Sequence, residues 1–177
     1  MRKSTAAALA LAASWPIAAA HADGTFSEIR FGALAHDQGV FVATKEEGLD
    51  INAELYFADL GWFDGAWEAR PSIGVSINTK GDTSQAYAGL TFGGPIAGPW
   101  FIEGAVGAAV HDGDLDKTMY DRKELGCRVL FHLAASTGVI VSDNVSLSLY
   151  LDHISNANLC DNNEGLETAG ARIGFRF

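Results

Sequence analysis

From residue 27 onwards the chain consists of short stretches in which apolar and polar side chains alternate, and this two-residue period constrains the fold more than any other property. Ile51, Ala53, Leu55 and Phe57 oppose Asn52, Glu54 and Tyr56; Ile73, Val75 and Ile77 oppose Ser72, Gly74, Ser76 and Asn78. Val129, Phe131 and Leu133 oppose Arg128 and His132 in the same way. Strands are expected near 27–36, 49–58, 69–78, 84–93, 99–110, 127–137, 144–154 and 167–177. An even number of alternating segments of about 10 residues is the pattern of an all-β, eight-stranded antiparallel transmembrane β-barrel.

Loop lengths test that reading. With both termini periplasmic, the long connections 37–48, 111–126 and 155–166 fall outside, and 94–98 and 138–143 become short periplasmic turns. The connection 59–68 is long for an inner turn, although Trp62, Phe63 and Trp67 suit a membrane interface, and the outer loop 79–83 is short. The inward row would hold Arg30, Glu54, Glu103, Arg128, His132, Asp152, Arg172 and Arg176. Eight strands enclose only enough space for side chains, so mixed charges there imply a paired polar plug and argue against transport. A soluble barrel of lipocalin type would turn the apolar face inward instead. The charged inner row and the terminal aromatic Phe177 favour the membrane form.

The first residues read as an export signal: Arg2 and Lys3, an apolar run from Ala6 to Ala13, and the small-residue site Ala20-His21-Ala22. This divides the chain into a signal peptide, 1–22, and a barrel domain, 23–177. The formal net charge of −10 becomes more negative once Arg2 and Lys3 leave, which disfavours nucleic acid as a partner. Cys127 and Cys160 are the only cysteines; in an exported chain they are either a disulfide or two small buried thiols.

The chemistry-bearing residues gather near the C-terminus. Val145, Leu147, Leu149 and Leu151 share one strand face; His153 continues that row, and Ser155 follows it. Counting back from the end, Phe177, Phe175, Ile173, Ala171, Ala169 and Glu167 also share a face. If the two segments are antiparallel neighbours, His153, Ser155 and Glu167 converge at one end of the apolar, lipid-facing wall. Serine ester hydrolysis needs a base for the hydroxyl proton, an acid that orients that base, and donors for the oxyanion. His153 can be the base, Ser155 the nucleophile and Glu167 the acid. Backbone amides after Ser155 and the side chains of Asn156 or Asn163 are candidate oxyanion donors. Asp152 points to the lumen and Glu164 has the opposite parity to Glu167, so both are weaker candidates for the acid.

The runs His153-Ile154-Ser155-Asn156-Ala157, Asn163-Glu164-Gly165-Leu166-Glu167 and Gly174-Phe175-Arg176-Phe177 resemble the PagL family of outer-membrane lipid A 3-O-deacylases. The resemblance implies a triad of His153, Ser155 and Glu167, with Asn156 important for activity and Asn163 contributing to the oxyanion site. It implies lipid A, within lipopolysaccharide, as substrate, the outer membrane as location, removal of the 3-hydroxyacyl chain at position 3, and no metal or cofactor. Asn158 follows Ala157 where the resemblance implies a glycine.

Other signals are weak. Asp112, Asp114 and Asp116 have the spacing of calcium ligands, but Lys117 stands where glycine and Lys123 where glutamate is needed. The chain contains no Gly-x-Ser-x-Gly elbow, His-Glu-x-x-His pair or P-loop. Rival functions are a non-enzymatic structural or adhesion barrel and a phospholipase using the same triad. Sequence leaves a homodimer open.

Overall fold

The computed structural model describes residues 25–177 apart from 40, 42, 117 and 118. The expected signal peptide lies outside the described residues, as does Lys117 of the calcium-like spacing. Eight strands close into an antiparallel barrel in simple sequence order: β1 (Phe26–Ala35), β2 (Leu49–Phe57), β3 (Glu68–Asn78), β4 (Gln85–Ala97), β5 (Trp100–His111), β6 (Val129–Ser142), β7 (Val145–Ser155) and β8 (Leu166–Arg176). β1 pairs with β8 from Glu28↔Arg176 to Ala35↔Ala169, which leaves no open sheet edge.

The apolar rows point outward. Ile51, Ile77, Val106, Phe131, Leu133 and Leu149 are exposed, Leu149 by 66%, while the alternate residues are buried. Such a wall is stable only against hydrocarbon, because exposed apolar area on this scale would be costly in water. No helix among the described residues is long and apolar enough to cross a membrane; the strands do so.

Inside, the plug is paired as the mixed charges require. Glu28 and Glu103 each bind both Arg30 and Arg70, with Arg30 Nη2 2.8 Å from Glu103 Oε1 and Arg70 Nη1 2.8 Å from Glu28 Oε2. Arg172 pairs with Glu54 and lies 3.6 Å from the centre of the Tyr150 ring. Glu28 and Arg70 share the inward parity of Arg30 and Ser72. Arg128 does not join this row: it precedes β6, and its guanidinium donates to the carbonyls of His111 and Gly113. Arg176, at the inner rim, keeps about a third of its side chain exposed.

Two strands run further than their sequence suggests, β4 to Ala97 and β6 to Ser142. Gly93, at the end of an expected strand, and Gly138, in an expected turn, both lie inside longer strands. A Cβ at Gly93 would come 2.7 Å from the Ile102 carbonyl, and one at Gly138 would come 2.3 Å from that of Leu147. These glycines permit close strand contact rather than a turn. The inner connections β4–β5 and β6–β7 shrink accordingly to two residues each, 98–99 and 143–144.

At the outer end the lumen is closed by a small apolar cluster of Tyr87, Ala109, Leu125, Leu130, Ile154 and Leu166, with Cys127 packed against it. Ile154 and Leu166 are essentially inaccessible. They are cross-strand partners, so burying them fixes the register of β7 against β8 where His153 and Glu167 project outward.

Candidate active site

Register brings His153 and Glu167 together and sets Ser155 on the same row. His153 and Glu167 are direct cross-strand partners, and Ser155 ends β7 two residues beyond His153 on the same face, about 6 to 7 Å away at Cα. His153 Nδ1 donates to Glu167 Oε1 at 3.2 Å. The Glu167 side chain is wholly buried, whereas that of His153 is 24% exposed. Because Nδ1 faces the carboxylate, the free imidazole nitrogen is Nε2, the one that can accept a proton from a hydroxyl.

The second carboxylate oxygen is also occupied. Glu167 Oε2 accepts the main-chain N–H of Phe41 at 2.8 Å, and the Glu167 carbonyl accepts that of Gln38 at 3.0 Å. Both donors belong to the β1–β2 loop, more than 120 residues away in sequence. That distance hid them from strand parity; the one available signal was the apolar run Val40-Phe41-Val42 in an otherwise polar stretch of sequence.

The turn after Ser155 is tight. Asn156 through Leu159 form a β-turn closed by Leu159 N–H to the Asn156 carbonyl at 3.0 Å, with φ of 53° at Ala157 and 63° at Asn158. Positive φ at both central residues defines a type I′ turn. Asn is among the few non-glycine residues that tolerate this region, so Asn158 fills the place where the resemblance implied glycine. Asn163 braces the turn twice: its Oδ1 accepts the Asn156 N–H at 2.9 Å, and its Nδ2 donates to Asn158 Oδ1 at 3.2 Å.

Asn156 is buried, and its side-chain amide donates to the carbonyls of Leu125 and Asn162. Both side-chain protons and the main-chain proton of Asn156 are therefore already used. The residue ties the β7–β8 loop to the β5–β6 loop and has no proton left for an oxyanion. Cys127 and Cys160 form a disulfide between the same two loops, with Cα atoms 6.0 Å apart. Next to it Gly126 has φ of 74°, and an added Cβ would lie 2.0 Å from the Asn162 carbonyl.

The two weaker acid candidates have other partners. Asp152 faces the lumen, where it accepts from Thr168 Oγ1 at 2.7 Å, Gln85 Nε2 at 3.0 Å and His132 Nε2 at 3.3 Å. Glu164 pairs with Lys45 at 2.6 Å and accepts the Glu124 N–H. Burial alone would raise the Glu164 pKa, but the Lys45 ammonium and the Glu124 N–H outweigh it and hold the carboxyl below its ordinary range.

Above the lumen, His36 is buried between two carboxylates, with Nδ1 2.9 Å from Asp50 Oδ1 and Nε2 3.0 Å from Glu46 Oε2. Burial opposes its charge, but the hydrogen bonds it donates to Asp50 and Glu46 prevail and raise its pKa to about 9. Beside His153, an apolar groove on the outer wall is lined by Phe41, Leu133, Ala135 and Leu151. It continues between Ile102, Thr137 and Leu149. No group of three or more His, Cys, Asp and Glu side chains suited to a metal occurs among the described residues.

Residues 18–176 match the family model described as lipid A 3-O-deacylase (PagL). Among solved structures, the chain is similar to the outer membrane enzyme PagL, with a TM-score of 0.68 and 19% identity over 85% of this chain and 99% of that one. It is also similar to Neisserial surface protein A, with a TM-score of 0.57 and 12% identity over 87% and 98% of the two chains. The N-terminal β-barrel domain of Pseudomonas aeruginosa OprF gives a TM-score of 0.51 and 13% identity over 86% and 98%. At these identities the structural likenesses establish the barrel fold. No curated protein matches the chain.

Proposed function

The chain, an outer-membrane barrel, belongs to the PagL family of lipid A 3-O-deacylases, and on that footing we propose that it cleaves the 3-hydroxyacyl ester at position 3 of lipid A with Ser155, His153 and Glu167 as a serine-esterase triad. The observation that carries this reading is the buried Glu167 carboxylate on His153 Nδ1, with Ser155 two residues further along the same outward row.

In this mechanism His153 Nε2 takes the Ser155 hydroxyl proton as Oγ attacks the ester carbonyl. The resulting oxyanion collapses, the bond to the sugar oxygen breaks, and the imidazolium returns its proton to that oxygen. Water, deprotonated by His153, then attacks the acyl-serine and releases the hydroxy fatty acid. Glu167 holds the Nδ1–H tautomer and stabilises the imidazolium throughout. Since both side-chain protons of Asn156 are used, oxyanion donors come from main-chain N–H groups of the turn after it or from the remaining proton of Asn163.

The site's position suits a lipid ester. The acyl chain lies in the groove along Leu133, Ala135 and Leu151 while the sugar stays at the outer rim. A long-chain alkyl fluorophosphonate tests the nucleophile: peptide mass spectrometry should find the adduct on Ser155, and its appearance only on another residue would refute the assignment.

A further inference from the structure

The β1–β2 loop has contacts that the triad alone does not explain. Its two ends are fixed in the outer cap: Asp37 Oδ2 accepts the N–H groups of Lys45 at 2.6 Å and Glu46 at 3.0 Å, and Asp37 pairs with Lys123 at 3.0 Å. His36 binds Glu46 and Asp50, and Lys45 reaches Glu164. The loop so fixed brings Phe41, 76% exposed, to the outer wall, where its N–H meets Glu167 Oε2 and the residue borders the groove beside His153. An exposed phenyl ring held at an apolar groove gains nothing from water and much from an acyl chain laid against it.

Resting on the deacylase reading above, we propose that Phe41 is a further residue of the site in two senses. Its main-chain N–H is a positioning group that orients the Glu167 carboxylate toward His153. Its ring is a specificity-determining wall that closes the groove over the acyl chain near the ester. The two roles use different parts of one residue and therefore separate experimentally. Ala keeps the N–H and removes the ring. Pro removes both the ring and the N–H, so the difference between the Pro and Ala variants isolates the N–H.

The test is steady-state hydrolysis of lipid A by the refolded barrel in detergent, with folding confirmed by heat-modifiable gel mobility. Phe41→Ala should raise KM about tenfold, the loss of roughly one partly buried ring contact, and Phe41→Leu should restore most of it. Phe41→Pro should lower kcat about ten- to a hundredfold below that of Phe41→Ala, the loss of one hydrogen bond to a buried charge. A wild-type KM in Phe41→Ala would overturn the wall, and a kcat in folded Phe41→Pro equal to that of Phe41→Ala would overturn the positioning role.

Because Pro can disturb the loop, a second measurement uses the unaltered main chain. In barrel labelled with ¹⁵N-phenylalanine, the Phe41 amide proton should shift upfield when Glu167→Gln removes the charge it donates to; an unmoved resonance overturns the contact. If wild-type protein cleaves no lipid A, the deacylase reading falls, while the amide shift still decides the Phe41–Glu167 bond.

Discussion

Replacing Glu167 by Gln keeps shape and volume, yet it should nearly abolish turnover for a reason visible in the hydrogen bonds. The carboxylate accepts on both oxygens, from His153 Nδ1 at 3.2 Å and from the Phe41 N–H at 2.8 Å. An amide has only one accepting end. If its oxygen faces Phe41, its NH₂ faces His153 Nδ1 and forces the proton onto Nε2, where the ring can no longer take a proton from Ser155. If its oxygen faces His153, its NH₂ opposes the Phe41 N–H, two donors meeting in a site with no water access. Both orientations also lose the charge that stabilises the imidazolium. In serine triads the comparable loss is about 10⁴-fold in kcat, or roughly 5.5 kcal/mol of transition-state stabilisation. Lipid A turnover by the folded variant, followed by mass spectrometry over hours, measures it. Activity within tenfold of wild type would refute the role given to Glu167.

Three further outcomes follow from the outer loops. Replacing Cys127 and Cys160 by Ser should leave the barrel folded but increase hydrogen exchange in residues 156–165, since the bridge ties the turn after Ser155 to the β5–β6 loop; unchanged exchange there would contradict this. Ala157→Gly should stabilise the site turn by about 1 kcal/mol, because glycine carries no penalty at φ of 53°; urea unfolding in lipid vesicles measures it, and a destabilised variant would refute the strain. His36 has a folded pKa raised to about 9, so its contribution to the cap is complete below its ordinary value near 6.5 and lost as pH rises through about 9. Exchange in residues 36–48 should therefore accelerate across that window in wild type and lack the transition in His36→Gln.

The fold was legible because a membrane barrel writes its geometry into a strict alternation. Ile51, Ala53 and Leu55 must meet lipid while Asn52 and Glu54 fill the lumen. Strand ends were less legible, since Gly94, Pro95 and Gly138 look like breaks and instead lie in paired strands. At the other end of β6, the left-handed Gly126 and the disulfide at Cys127 delay the strand to Val129 and take Arg128 out of the inward row.

The candidate site was readable where it depends on parity and register: His153, Ser155 and Glu167 fall on one row of two adjacent strands. Parity also placed Asp152 in the lumen. What depends on loops was not readable. The Phe41 N–H on Glu167 and the use of both Asn156 amide protons by Leu125 and Asn162 join segments with no common period. Main-chain donors leave no mark on residue choice, so Phe41 carried a signal only through its ring.

We propose that Ser155 cleaves one ester of lipid A at the outer wall of this barrel. The most direct test is mass spectrometry of purified lipid A after incubation with refolded residues 23–177, run beside the Ser155→Ala protein. Loss of a single 3-hydroxyacyl chain from position 3 with the wild-type protein alone is the expected result. Unchanged lipid A with a folded wild-type barrel, or equal loss with Ser155→Ala, would contradict the account.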